Sequence, residues 1–234
     1  MPTIQENLLT VRTAITEAAT AAGRDPDSIT LIAVSKTKPA ADVLAALTAG
    51  AQHFGENYVQ EAVLKIAEVR AGATDTRPVW HYIGAIQSNK TRDIATAFDW
   101  VHTISRAKIA RRLDAQCPED KRLSICLQVN VDNDPNKAGV APAKTAALLE
   151  TCLGLERLDV RGLMTILDPA TEPREGYNRL RELFEALKDS APDCWDTLSM
   201  GMSGDYPAAI AAGATQVRVG TAIFGSRPAQ QTRG

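Results

Sequence analysis

The four cysteines, Cys117, Cys126, Cys152 and Cys194, include no pair at C-x-x-C spacing. A 234-residue chain can bury a core without disulfide staples, so reduced thiols in a cytoplasmic setting are expected. The three histidines, His53, His81 and His102, lie far apart and match no local zinc signature. No apolar run is long enough to span a bilayer, so no membrane partner is expected. The opening MPTIQENLLT has no basic stretch followed by an apolar one, which argues against a secretory signal. A net charge of −2 leaves no basic footprint for nucleic acid. Neither G-x-G-x-x-G after the first strand nor G-x-x-x-x-G-K-[ST] occurs, which removes two nucleotide fingerprints. No low-complexity segment or Pro/Gly/Ser-rich linker divides the chain, so one domain over 1–234 is expected.

What is present is an alternation of short apolar strands with helical patterns. Strand-like runs fall at 29–36, 51–56, 79–84, 99–104, 123–131, 158–166, 195–200 and 215–220. Helical stretches lie between them, at about 39–49, 57–71, 88–97, 105–116, 142–154, 175–189 and 205–212. An extra amphipathic helix is expected before the first strand, over about 3–22, with Ile4, Leu8, Val11 and Ile15 at helical spacing. Gly23, Gly50, Gly72, Gly154 and Gly213 each follow or close a helical stretch, where helix-terminating glycines belong. Eight strands in about 230 residues favour a closed (β/α)8 TIM barrel over an open doubly wound sheet. Either architecture binds ligands at the carboxyl ends of its strands.

The polar residues at those ends are Ser35, Lys36, Glu56, Asn57, His81, Tyr82, Asn130, Thr165, Ser199 and Arg218, with Met164 among them. Strand alternation puts Lys36 on the side of Ile32 and Val34, still within the strand, while Lys38 has left it. A lysine amine in a partly dry pocket becomes a nucleophile toward carbonyls and can form a Schiff base. The alternative is that Lys36 snorkels to solvent. After strands seven and eight come GMSGD and GTAIFG, small-residue turns into short helices. Barrel phosphate sites form from those two loops, and Ser203 and Thr221 add hydroxyl donors beside Gly201, Gly204 and Gly220. Ordinary βα turns need glycine too, and the residues alone leave both readings open. A pocket lysine with a phosphate cradle points to a phosphorylated aldehyde, of which pyridoxal 5′-phosphate (PLP) is the obvious one. Arg218 either faces a ring nitrogen or serves as a phosphate or ion-pair partner.

Seven ordered blocks run almost the length of the chain: AVSKTKP (33–39), FGENYVQEA (54–62), WHYIGAIQSNK (80–90), QVNVDNDPNKAGV (128–140), RGLMTI (161–166), LSMGMSGD (198–205) and VRVGTAIFG (217–225). Together they resemble the PLP homeostasis protein family. The resemblance implies a single barrel similar to the barrel domain of alanine racemase (PLP fold type III). It implies PLP held as a Schiff base on Lys36, with Asn57, Met200, Ser203, Arg218, Gly220 and Thr221 as further cofactor-binding residues. Arg218 is implied to face the pyridine nitrogen, and the Ser203 and Gly220–Thr221 loops to hold the phosphate. The family is regarded as a PLP carrier or regulator without an established catalytic activity. Two departures are mild: Gly204 stands where many members have a second acidic residue, and Tyr82 and Ala85–Ile86 stand where Phe and Pro-Leu are common.

Around this core, His81 reads as a packed histidine, Ser88 or Asn89 as a helix N-cap, Lys90 and Lys137 as surface lysines, and Cys126 as a small core hydrophobe. Three functions follow. The first is a cytoplasmic, monomeric, non-catalytic PLP-binding protein that stores, buffers or delivers the cofactor, with PLP-dependent apoenzymes as recipients. The second is a PLP-dependent amino-acid racemase. Racemisation needs an acid/base on each face, and alanine racemases bring the second from an added β-domain for which this chain has no matching segment. The third is a sugar-phosphate barrel enzyme using Lys36 as an aldolase-type lysine.

Overall fold

The computed structural model describes residues 2–72 and 77–225, so Met1, 73–76 and 226–234 of the expected domain lie outside the described residues. The chain runs α1 (Ile4–Ala21), β1 (Thr30–Val34), α2 (Ala40–Thr48), β2 (His53–Glu56), α3 (Val59–Gly72), β3 (Val79–Tyr82) and α4 (Thr91–Ala97). It continues through β4 (Trp100–Ile104), α5 (Ala107–Gln116), β5 (Leu123–Gln128), α6 (Thr145–Leu153), β6 (Leu158–Met164) and α7 (Pro173–Ala186). It ends with β7 (Thr197–Met202), α8 (Tyr206–Ala211), β8 (Gln216–Val219) and α9 (Thr221–Phe224). The eight strands pair in chain order and β8 closes on β1, all in parallel. This is the (β/α)8 barrel expected from the alternation.

The local chemistry explains most of the boundaries. Thr3 caps α1 with a capping box: its hydroxyl accepts from Glu6 N, and the Glu6 carboxylate accepts from Thr3 N at 2.7 Å. Leu8, Val11, Ile15 and Ala19 form the buried stripe that packs α1 on α2, α8 and α9. Helix α7 starts at Pro173, two residues before the expected 175, because Glu172 caps it and Pro173 suits the first turn. Strand β7 covers 197–202, not 195–200. Trp195 instead stacks on Phe184 at 4.9 Å and donates its indole N–H to the Phe184 carbonyl, which fixes it in the α7–β7 connection. The expected side-chain N-cap at Ser88 or Asn89 is not formed. Those residues lie in a 3₁₀ turn, and α4 begins at Thr91 without a side-chain cap. Of the five helix-closing glycines, Gly23, Gly50 and Gly213 take positive φ, whereas Gly72 ends α3 itself and Gly154 closes α6 at φ −80°.

The sheet buries both faces. Phe54, Trp80, Tyr82, Val101 and Leu163 pack outward into one continuous cluster with the helices. Ile32, Val34, Ile83, Cys126 and Met164 are buried apart from that cluster, in the barrel interior. Gly162 of β6 has φ +156°, and an added Cβ would lie 1.8 Å from the Thr197 carbonyl oxygen. Gly162→Ala should therefore force β6 and β7 apart and cost roughly 2–5 kcal/mol. Urea unfolding checks this, and an unchanged midpoint would contradict the close strand approach.

Candidate functional site

Strand β1 stops at Val34, so Lys36 lies beyond it and not within it as alternation had placed it. Ser35 N still donates to Gly55 O, but Thr37 then turns the chain with φ +63°. Lys38 N closes the turn on Ser35 O at 3.1 Å. A threonine in left-handed backbone is strained, and something must hold it there. The holder is a buried ionic cluster. Lys65 Nζ of α3 donates to the Ser35 carbonyl at 2.7 Å, to Glu56 Oε1 at 2.7 Å and to Glu61 Oε1 at 2.8 Å. Ser35 Oγ donates to Glu56 Oε1, and Thr37 N donates to Glu61 Oε1 at 2.6 Å. Lys65 is 4% exposed and Glu56 fully buried, so this cluster clamps both sides of Lys36 from beneath. Burial pushes the Glu56 carboxyl up, opposed by Lys65, and Glu56 Oε2 has no hydrogen-bond partner among the described residues. On the outer side, Lys38 Nζ donates to the Phe224 carbonyl at 2.7 Å, tying this turn to α9.

Below the mouth the barrel interior is polar. Arg218 of β8 is only 4% exposed. It donates to Ser199 Oγ at 2.8 Å and to the Thr165 carbonyl at 2.9 Å, which orients the guanidinium across β6, β7 and β8. Burial lowers its pKa, with Tyr177 and Asp205 opposing the shift. His81 is a packed histidine as expected, buried in this interior and not at the mouth with the other strand-end residues. It bonds His53 on one side and His102 on the other, each at 2.9 Å.

The loop after β7 is braced by Tyr177 of α7, whose hydroxyl donates to Asp205 Oδ2 at 2.8 Å; Asp205 Oδ1 accepts from Met202 N. Gly201 permits the turn: its φ is +93°, and an added Cβ would lie 2.6 Å from the Ala209 Cβ. Ser203, Gly204 and Thr221 are exposed on the resulting rim, and Gly220 is half-buried against Val34.

The profile of the family described as alanine racemase, N-terminal domain, matches residues 6–228. A Pseudomonas aeruginosa protein named pyridoxal phosphate homeostasis protein is 52% identical over 231 residues, covering 97% of both chains. The chain belongs to the pyridoxal phosphate homeostasis protein family. The Escherichia coli K12 member of that name is 47% identical, over 97% of this chain and 98% of its own. PipY of Synechococcus elongatus, solved with PLP bound, is 40% identical with a TM-score of 0.78, covering 90% of this chain and all of that one. Alanine racemase from Corynebacterium glutamicum, at 16% identity and a TM-score of 0.64, shares the barrel fold.

In this member of the pyridoxal phosphate homeostasis family, Lys36, Asn57, Ser203, Gly220 and Thr221 follow β1, β2, β7 and β8, and Arg218 lies within the carboxyl half of β8. Asn57 has a buried Oδ1 without a hydrogen-bond partner among the described residues. Met200 is fully buried in the helix-facing cluster, since Ser199 takes the inward position, so a Met200 contact to a ligand would come from its main chain. Lys137 pairs with Asp132 at 3.3 Å and Asp168 at 3.5 Å. Cys126 is fully buried, and burial pushes its thiol up. Sequence reasoning missed the Lys65 clamp, the Tyr177–Asp205 brace and the histidine contacts. Only the Glu61–Lys65 spacing of four on α3 was a legible signal, and it reads as a surface pair.

The buried histidines give a pH prediction. Burial lowers His81 well below its ordinary value of 6.5, and burial with the Arg218 charge lowers His102 to about 3. The folded chain then binds fewer protons than the unfolded one from pH 6.5 down toward those lowered values. Stability is therefore intact above pH 6.5 and falls as pH drops through that window, by about 1.4 kcal/mol per pH unit for each histidine. Urea midpoints at about pH 7 and about pH 5 measure the slope. A flat profile would mean that these histidines titrate in the fold as they do in the unfolded chain.

Proposed function

We propose that this protein binds pyridoxal 5′-phosphate and serves its intracellular homeostasis by storing, buffering or delivering it, without turning over a substrate. The observation that carries this reading is a clamped Lys36 turn at the end of β1, next to the strand that holds a buried, oriented arginine, in a chain 52% identical to a named pyridoxal phosphate homeostasis protein. Bound PLP supplies an aldehyde for an amine, a phosphate for N–H and O–H donors, and a ring nitrogen whose protonation sets its electron-sink strength.

The residues present fit such a group. Lys36 is the amine for the aldehyde carbon, as a Schiff base. Ser203 and Thr221 offer hydroxyls beside Gly220, where the main chain approaches without side chains in the way. Asn57 Oδ1 is a buried acceptor in want of a donor. Arg218 offers N–H donors and a fixed positive charge, and a cation facing the ring nitrogen keeps that nitrogen unprotonated. An unprotonated ring is a weak electron sink, which favours holding the cofactor over amino-acid chemistry. The mouth has an open rim and no helix among the described residues is long and apolar enough to cross a membrane. We place the protein in the cytoplasm as a monomer, with PLP-dependent apoenzymes as recipients.

The loaded protein, mixed with a PLP-dependent apoenzyme, should restore that enzyme's activity, and alanine offered alone should keep its chirality. Racemisation at an enzymatic rate would instead favour the amino-acid racemase reading.

A further inference from the structure

All three histidines of the chain fall into one line through the barrel interior. His53 stands at the first residue of β2, at the amino end of the barrel, and lines a cavity of about 410 Å³ under α1. Its Nδ1 is 2.9 Å from His81 Nε2; His81 Nδ1 is 2.9 Å from His102 Nε2; His102 Nδ1 is 2.8 Å from Ser199 Oγ. Ser199 Oγ then receives Arg218 at 2.8 Å. The line thus joins the floor of the barrel to the arginine at its ligand end. The nitrogens meet pairwise in series and do not converge on a common point.

A neutral imidazole has one N–H and one lone pair. Each ring-to-ring contact needs one of each, so neutral histidines in series must all point the same way. In the inward order, every Nδ1–H donates toward Ser199, whose oxygen then accepts from both His102 and Arg218. In the outward order, Ser199 donates to His102 Nδ1 and every Nε2–H donates toward His53. The Arg218 cation favours the outward order, because it places a lone pair, not an N–H, on the His102 atom nearest the charge. A doubly protonated His53 can only donate at Nδ1, and that fixes the inward order along the whole line.

We propose that His53, His81 and His102 form a directional relay through which protonation of His53 at the barrel floor reverses the hydrogen bond between His102 and Ser199 against which Arg218 is braced. His102 and His53 are positioning residues in this scheme and touch no ligand. The reversal moves the His81 Nε2 proton to His53 Nδ1, the His102 Nε2 proton to His81 Nδ1 and the Ser199 hydroxyl proton to His102 Nδ1, while a solvent proton relayed by water at the ligand end restores the Ser199 hydroxyl, so the line gains one proton in all. Burial disfavours the His53 cation and lowers its pKa, with Asp99 opposing that shift; His53 shares its cavity with Arg12 of α1 and the exposed Asp27, and His81 is its inner neighbour. His81 packs on Trp100, and His102 faces Arg218. A Ser199 hydroxyl that donates to His102 is the better acceptor for Arg218, so the inward order loosens the arginine. That consequence for the cofactor ring rests on the function proposed above, whereas the relay is a property of the protein without cofactor.

Nitrogen-15 NMR of histidine-labelled protein, without PLP, separates the two. Between about pH 8 and about pH 5, His81 and His102 should exchange an Nε2–H for an Nδ1–H signature with the midpoint of His53, and the Arg218 Nε–H resonance should shift with them. His53→Gln keeps a polar group at the floor but cannot titrate, and it should leave both tautomers fixed over that range. A His102 tautomer that ignores pH in the unaltered protein overturns the relay. So does a switch of the same midpoint in His53→Gln. The wild-type titration decides the matter even if the variant fails to fold.

Discussion

Replacing Lys36 by alanine is expected to abolish covalent retention of PLP while leaving the fold intact. Lys36 is half-buried in a turn beyond β1, and the flanking Ser35 and Thr37 anchor that turn to the Glu56, Glu61 and Lys65 cluster. The variant should therefore unfold within about 1 kcal/mol of wild type, as an ordinary partly exposed substitution does. After loading with PLP and dialysis it should keep no visible absorption, and its PLP affinity should fall at least about a hundredfold, equivalent to about 2.7 kcal/mol. Residual weak binding through the rim hydroxyls and Arg218 is compatible with that result. A Lys36→Ala protein that stays yellow through dialysis would place the covalent contact on another lysine.

Lys65→Met should produce the largest loss of stability of any single change considered. Lys65 is the cation for a fully buried carboxylate and the donor to the Ser35 carbonyl. Removing one member of a buried pair strands the other, at about 3–5 kcal/mol. Glu56 Oε2 has no hydrogen-bond partner among the described residues, so Lys65 is the cation seen bonded to this carboxylate. The double change Lys65→Met with Glu56→Gln removes the stranded charge and should recover part of the loss. Chemical denaturation of the three proteins measures the difference. The same variants should lose PLP affinity even where folded, because the left-handed Thr37 is then held less firmly. If Lys65→Met unfolds at the wild-type midpoint, the clamp does not hold the Lys36 turn.

The barrel was legible because its signal is repetitive. Eight apolar runs at regular spacing, with Pro and Gly punctuation, survive errors of two residues at any boundary. The turn after β1 was not: a strand-period pattern continues through Ser35 and Lys36, while the chain leaves the sheet at Val34 under tertiary constraint from α3. Trp195 misled for a similar reason, since an aromatic beside a strand reads as strand until its stacking partner Phe184 is known. Candidate site residues in the loops after β7 and β8 could be proposed from sequence because glycine and hydroxyl patterns are local. The histidine line could not, because His53, His81 and His102 share no spacing and meet only when β2, β3 and β4 lie side by side in the closed barrel.

The central claim is that Lys36 is the residue that holds PLP. The direct measurement is borohydride reduction of the purified, PLP-loaded protein followed by peptide mapping by mass spectrometry. The account predicts a single dominant phosphopyridoxyl adduct on Lys36. An adduct on Lys38, Lys137 or any other lysine, with Lys36 unmodified, would contradict it.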